Sequence, residues 1–150
     1  MTGKLIEKND GTSVTTGQIT FRRDHEAVII LNRSPFLYPL PDTGIGGGLF
    51  SASSFNDATQ EATTIHLCYP KGLSSGTSHE LIFEDIRKQL LQGWEFHFEG
   101  KAYEAVTGSM NIHTEANSRE VYAVKGTYFF TTEEKIKIAG AFNLINSNPK

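Results

Sequence analysis

The chain is poor in the features that announce a function. One cysteine, Cys68, stands among 150 residues, which excludes an internal disulfide framework and any cysteine-rich zinc site. Basic residues are not in excess: 14 Lys and Arg face 17 Asp and Glu, for a net charge of −3. A dedicated nucleic-acid binder needs surplus cations to displace counterions from phosphates, so no nucleic-acid partner is expected. No apolar run reaches membrane-spanning length, and the opening residues MTGKLIEKND lack the apolar core of a signal peptide. The expectation is a cytoplasmic protein without a membrane partner, with signal-free export left open. Asn32-Arg33-Ser34 is formally a glycosylation sequon, but no secretory signal accompanies it.

Chemical motifs are equally scarce. No Gly-x-Ser-x-Gly elbow and no His-Glu-x-x-His helix occurs. The glycine-rich run Gly44-Ile-Gly-Gly-Gly48 lacks the Lys-Ser/Thr that completes a phosphate loop, so it reads as a flexible or tightly turning connection. No catalytic residue, metal site or cofactor is indicated, which favours a role other than catalysis without deciding it.

What is present is a β pattern. Length and composition fit a single domain over 1–150. An apolar–x–Gly–x–apolar–x–apolar series recurs as Val106-Thr-Gly108-Ser-Met110-Asn-Ile112, Val124-Lys-Gly126-Thr-Tyr128-Phe-Phe130 and Ile138-Ala-Gly140-Ala-Phe142-Asn-Leu144. Gly17-Gln-Ile19-Thr-Phe21 echoes it near the start. Period-two alternation puts Val106, Gly108, Met110 and Ile112 on one side of a strand, and each later glycine on the side of its apolar partners. Glycine inside a strand costs roughly 0.5–1 kcal/mol against alanine. Its recurrence at one place in the pattern therefore asks for a bulge, a sharp bend or room for a bulky neighbour. Polar turns at 115–119 and 131–135 separate these strands, so 105–145 reads as an antiparallel meander.

Other strands follow from alternation and β-branched content. Trp94, Phe96 and Phe98 share one face opposite Glu95, His97 and Glu99, and Gly100-Lys101 reads as the turn that follows. Residues 63–69 are strand-like. Residues 26–31 are apolar on both faces, as a central strand would be. Ile82, Phe83, Ile86, Leu90 and Leu91 recur at helical spacing, which predicts one short helix over about 82–92 with Thr77 or Ser78 as its cap and Gly93 as its stop. An extended conformation over 77–83 is the alternative. The fold expectation is all-β: an antiparallel β-sandwich or flattened barrel of about eight strands with that helix.

Candidate functional residues are few. His66, His97 and His113 alternate with apolar neighbours and are expected to face outward; alternate residues lie roughly 7 Å apart along a strand, so neither His97 with Glu95 or Glu99 nor His66 with Cys68 makes a compact site alone. Cys68 needs a nearby base and an oxyanion pocket to act as a nucleophile, and a small semi-buried thiol is the simpler role. Residues 34–57 hold Pro35, Pro39 and Pro41, the glycine run and Ser51-Ala-Ser-Ser54. They read as a long loop, with a concealed strand near Gly48–Phe55 as the alternative. Phe36, Tyr38, Phe50 and Phe55 lie on or beside it, where aromatics either contact a ligand or partner or pin the loop to the scaffold.

The series Thr107-Gly-Ser-Met-Asn-Ile112, Lys125-Gly-Thr-Tyr-Phe-Phe130 and Ala139-Gly-Ala-Phe-Asn-Leu144, with Ser75-Gly-Thr77 and Lys101-Ala-Tyr103, resembles the closing strands of small bacterial all-β domains of uncharacterised function. The resemblance covers about half the chain and implies a fold rather than a chemistry; it supplies no site residues.

Three functions fit this reading. The first is a binding or interaction module that uses loop 34–57 and adjacent strand ends to hold a protein, glycan or small ligand. The second is a lipocalin-like carrier with an apolar cavity of at least roughly 300 Å³. The third is an enzyme whose polar site is assembled from separate strands. The module is favoured because no motif speaks for the others.

Overall fold

The computed structural model describes residues 14–39, 47–117 and 120–147. The glycine run at 44–48 lies mostly outside them, as does part of the turn at 115–119. Among the described residues ten strands form in chain order: β1 (Val14–Arg23), β2 (Ile29–Leu31), β3 (Arg33–Pro39), β4 (Gly48–Asn56), β5 (Glu61–Tyr69), β6 (Thr77–Ile82), β7 (Glu95–Phe98), β8 (Lys101–Ala116), β9 (Val121–Thr132) and β10 (Lys137–Ser147). They pair antiparallel in the order β2-β1-β10-β9-β8-β7-β5-β4-β3, and β6 joins the far part of β8. The sheet curls into a nearly closed barrel, so the fold is all-β. Among the described residues no helix is long and apolar enough to cross a membrane.

The glycine repeat explains the curl. In the antiparallel register Gly126 stands opposite Phe142, Gly140 opposite Tyr128, and Gly108 opposite Phe130. Two Gly-x-aromatic motifs running in opposite directions thus cover each other's missing side chains, and the aromatic rings fill the space over the bare backbone. A Cβ on Gly126 would run into the Asn111 carbonyl of β8, and one on Gly140 into the Thr20 carbonyl of β1. The strands approach and bend there because no side chain holds them apart. Tyr128 completes the arrangement by donating its hydroxyl to the Thr20 carbonyl at 2.7 Å.

Alternation locates the core. Ile19, Phe50, Ile65, Trp94, Phe96, Met110, Ile112, Phe130, Ile138 and Leu144 are fully buried or nearly so. Val106 departs from its expected side. The register slips between Ala105 and Thr107, and this bulge turns Ala105 inward and leaves Val106 exposed.

The two ends of the sheet are consecutive pieces of chain. Residues 29–31 pair with β1, then the chain passes Asn32 and residues 33–39 pair with β4. Ser34 takes a positive φ of 48° at this change of partner. The buried Asn146 of β10 closes the seam: its Nδ2 donates to the Leu37 carbonyl at 3.2 Å, and its Oδ1 accepts from the Thr15 hydroxyl. The apolar run 26–31 is therefore not a central strand. Only Ile29–Leu31 is extended, at the terminus of the sheet, and Val28 and Ile30 are exposed.

Two further details differ from the sequence reading. The tight turn falls on Glu99-Gly100, both with positive φ (53° and 76°), between the paired Phe98 and Lys101. That is the geometry of a type I′ turn, one residue earlier than expected. The helical segment is one turn, α1 (Phe83–Ile86), followed by a 3₁₀ turn at Arg87–Gln89. Thr77 and Ser78 belong to β6 rather than to a cap. Leu90 is extended (φ −99°, ψ 145°), so it reaches the core from outside the helix, alongside Phe83 and Ile86.

Candidate functional site

The segment 34–57 is a hairpin, not a loop, over its described part: β3 pairs with β4 from Arg33↔Ser53 to Pro39↔Gly48. A strand has two faces, and the four aromatics divide between them. Phe36 and Tyr38 stack on the outer face with centroids 5.8 Å apart and planes within 13°; both are more than two-fifths exposed. Phe55 also faces out, beneath the Arg33 guanidinium at 5.6 Å. Phe50 lies on the inner face, fully buried between Phe142 (4.7 Å) and Tyr69 (6.2 Å). Phe50 therefore pins the hairpin to the barrel and touches no solvent.

The same outer face carries a half-buried imidazole–carboxylate group. His66 of β5 lies opposite Glu95 of β7 and Ser51 of β4, and its ring meets that of His97 edge-on at 5.0 Å. His97 Nε2 is 3.3 Å from Glu95 Oε1 but is not aligned for a hydrogen bond. Backbone spacing along one strand did not suggest this cluster; the cross-strand neighbour and the lean of the side chains create it. Among the described residues no three His, Cys, Asp or Glu side chains are placed to hold a metal ion.

Burial, and secondarily the positive charge His97 can take, hold the His66 pKa below its usual value, with Glu95 opposing. The unfolded chain then accepts the proton first, so the contribution of neutral His66 is complete above its unfolded pKa of about 6.5. It is lost as pH falls from there toward the folded pKa. The melting temperature of the native chain should thus fall more steeply than that of His66→Asn between about pH 7 and about pH 5. Parallel curves would remove this role from His66.

Cys68 is fully buried beside this face. Burial pushes its thiol pKa up to about 11, against a smaller lowering by the Gln92 backbone. A thiol held that high is protonated at neutral pH and is a poor nucleophile.

A more enclosed site lies at one open end of the barrel. Inward-facing positions change from apolar to polar as the strands approach this end: Phe50, Ala52, Ser54, Asn56 along β4; Leu67, Ile65, Thr63, Glu61 along β5; Ile19, Phe21, Arg23 along β1. Small residues here leave a pocket of about 210 Å³. Phe21 and Phe96 form its floor, edge to face at 5.3 Å. Phe98 forms one wall, with the Arg23 guanidinium 4.8 Å over its ring. Arg23 Nε and Nη2 also donate to Glu26 Oε1 at 3.3 and 3.2 Å. The opposite wall pairs Ser54 with Thr63 and Asn56 with Glu61. Asn56 spends its side-chain oxygen on the backbone N–H groups of Ala58 and Thr59. Among the described residues the Ser54, Thr63 and Glu61 side chains have no hydrogen-bond partner, and none of their oxygens is shut off from water.

None of these pocket residues is among the sequence-derived candidates. The available signal was the change from apolar to polar along each inward face. It becomes readable only when β1, β4 and β5 are assigned as neighbours. No family model, curated protein or solved structure matches this chain.

Proposed function

We propose that the chain is a binding protein that holds a small ligand at the open end of its barrel. The carrying observation is the meeting, in one pocket, of aromatic side chains with the Ser54, Thr63 and Glu61 side chains, which have no hydrogen-bond partner among the described residues and remain open to a ligand. These oxygens are solvated in the free chain, and a ligand atom in the pocket takes the place of water on them. Barrel mouths are a common place for such sites. The pocket uses Ser54 and Asn56 from segment 34–57 and the adjacent ends of β1, β5 and β7.

This reading is favoured over an apolar carrier. A volume of about 210 Å³ is below the roughly 300 Å³ at which pockets for drug-sized ligands begin, and half the wall is polar. It is also favoured over catalysis, because the imidazole–carboxylate group stands on an open sheet face away from the pocket. The exposed Phe36–Tyr38 stack supports a second reading, in which a partner protein docks on the outer face of β3 and β4.

A fragment screen followed by amide chemical shifts tests both. Fragments of pocket size should move the resonances of Phe21, Ser54, Thr63 and Phe96, and Ser54→Leu, which fills the pocket, should abolish those shifts while the chain stays folded. Fragments that bind without moving these resonances would overturn the mouth site.

A further inference from the structure

Resting on the mouth-pocket reading, we propose that the pocket selects a small organic cation: an ammonium or amidinium group on an aromatic or short aliphatic body. Two observations point the same way. The first is charge. The pocket wall carries Arg23, Glu26 and Glu61, and Arg23 is already neutralised by Glu26 through two bonds to one carboxylate oxygen. Glu61 is half-buried and its side chain forms no hydrogen bond or ion pair among the described residues, so the charges that line the pocket leave one carboxylate uncompensated. An anionic ligand would meet that carboxylate across a narrow space; a cation would complete it.

The second observation is the floor. The half-buried Phe98 presents aromatic surface to the pocket, with the nearly fully buried Phe21 and the fully buried Phe96 beneath it, and an aromatic face attracts a cation through its quadrupole. The protein already uses one of these rings in that way, since the Arg23 guanidinium sits 4.8 Å over Phe98. A ligand cation would set its N–H groups toward the Glu61 carboxylate, with the Thr63 and Ser54 hydroxyl oxygens as further acceptors. Its apolar body would lie against the Phe98 ring and the exposed edge of Phe21. The small volume excludes a large ligand.

The test uses four probes of one size and shape class: benzylamine and benzamidine as cations, benzyl alcohol as the neutral analogue and benzoate as the anion. Each is titrated against the full chain at neutral pH and low salt, with the pocket amide resonances as the readout. Benzylamine and benzamidine should bind at least tenfold more tightly than benzyl alcohol, benzoate should bind least, and added salt should narrow the gap. Glu61→Gln should erase the preference for benzylamine over benzyl alcohol. Glu104→Gln, the same change of charge on an exposed position away from the pocket, should leave the preference intact.

Benzyl alcohol or benzoate binding as tightly as benzylamine, or a preference that survives Glu61→Gln, would overturn the cation assignment and leave the mouth site standing. If no probe moves the pocket resonances while other fragments do, the cation assignment alone is again overturned. Failure of every fragment at these residues removes the site itself. A Glu61→Gln chain with an unchanged melting temperature separates the loss of preference from loss of fold.

Discussion

Gly126→Val is expected to lower the stability of the barrel by about 3 kcal/mol or more, and Thr127→Val, one residue along, by less than about 0.5 kcal/mol. The two positions differ by the face of β9 they occupy. Thr127 is exposed on the outer side, where a branched side chain suits an extended backbone. Gly126 lies beneath Phe142 and against the backbone of β8. A Cβ there meets the Asn111 carbonyl first, and that oxygen belongs to a strand paired on both sides. It can retreat only if the β8–β9 ladder opens. The Phe142 ring, 3.1 Å from the same Cβ position, is the lesser obstacle. Phe142→Ala should therefore fail to rescue Gly126→Val. Chemical denaturation of the three chains measures all of this, and equal midpoints for Gly126→Val and Thr127→Val, or rescue by Phe142→Ala, would refute the close approach of β8 and β9.

That register was legible in the sequence because one local rule governed the whole region. In 105–145 each strand alternates, each turn is short and polar, and a glycine occupies the same place in every strand. Elsewhere no single rule operates. Ala27, Val28, Ile29, Ile30 and Leu31 form an apolar run that reads as a doubly buried strand, yet Val28 and Ile30 face water because the chain changes partners at Asn32. A change of partner leaves no trace in local periodicity. Segment 34–39 hides its strand for a different reason: Phe36 and Tyr38 on one face and Leu37 on the other are all apolar, so nothing alternates. The mouth pocket was hidden for a third reason. Arg23, Glu61 and Thr63 look like ordinary surface positions until the inward faces of three strands distant in sequence are set side by side. Propensity and period are properties of one strand, whereas a barrel mouth is a property of several.

The division of the hairpin aromatics leads to the second large effect. Phe50→Ala should cost about 3–5 kcal/mol and Phe36→Ala less than about 1 kcal/mol, although both residues sit on the same hairpin. Phe50 is fully buried, and its ring joins two parts of the barrel that are not neighbours in the sheet. Phe142 belongs to β10 in the meander, and Tyr69 to β5 beside the hairpin. Removing the ring forfeits its transfer free energy and leaves a cavity between stiff strands that cannot close over it. Phe36 loses only its stack on Tyr38 and the partial shelter of one face. Were the four aromatics a single ligand-contacting set on a loop, the two truncations would cost alike and little. Thermal melts with matched denaturant curves decide between these outcomes. Phe50→Leu, which keeps an apolar side chain in the site, should recover most of the loss, because the ring's duty there is to fill space between the two sides of the barrel.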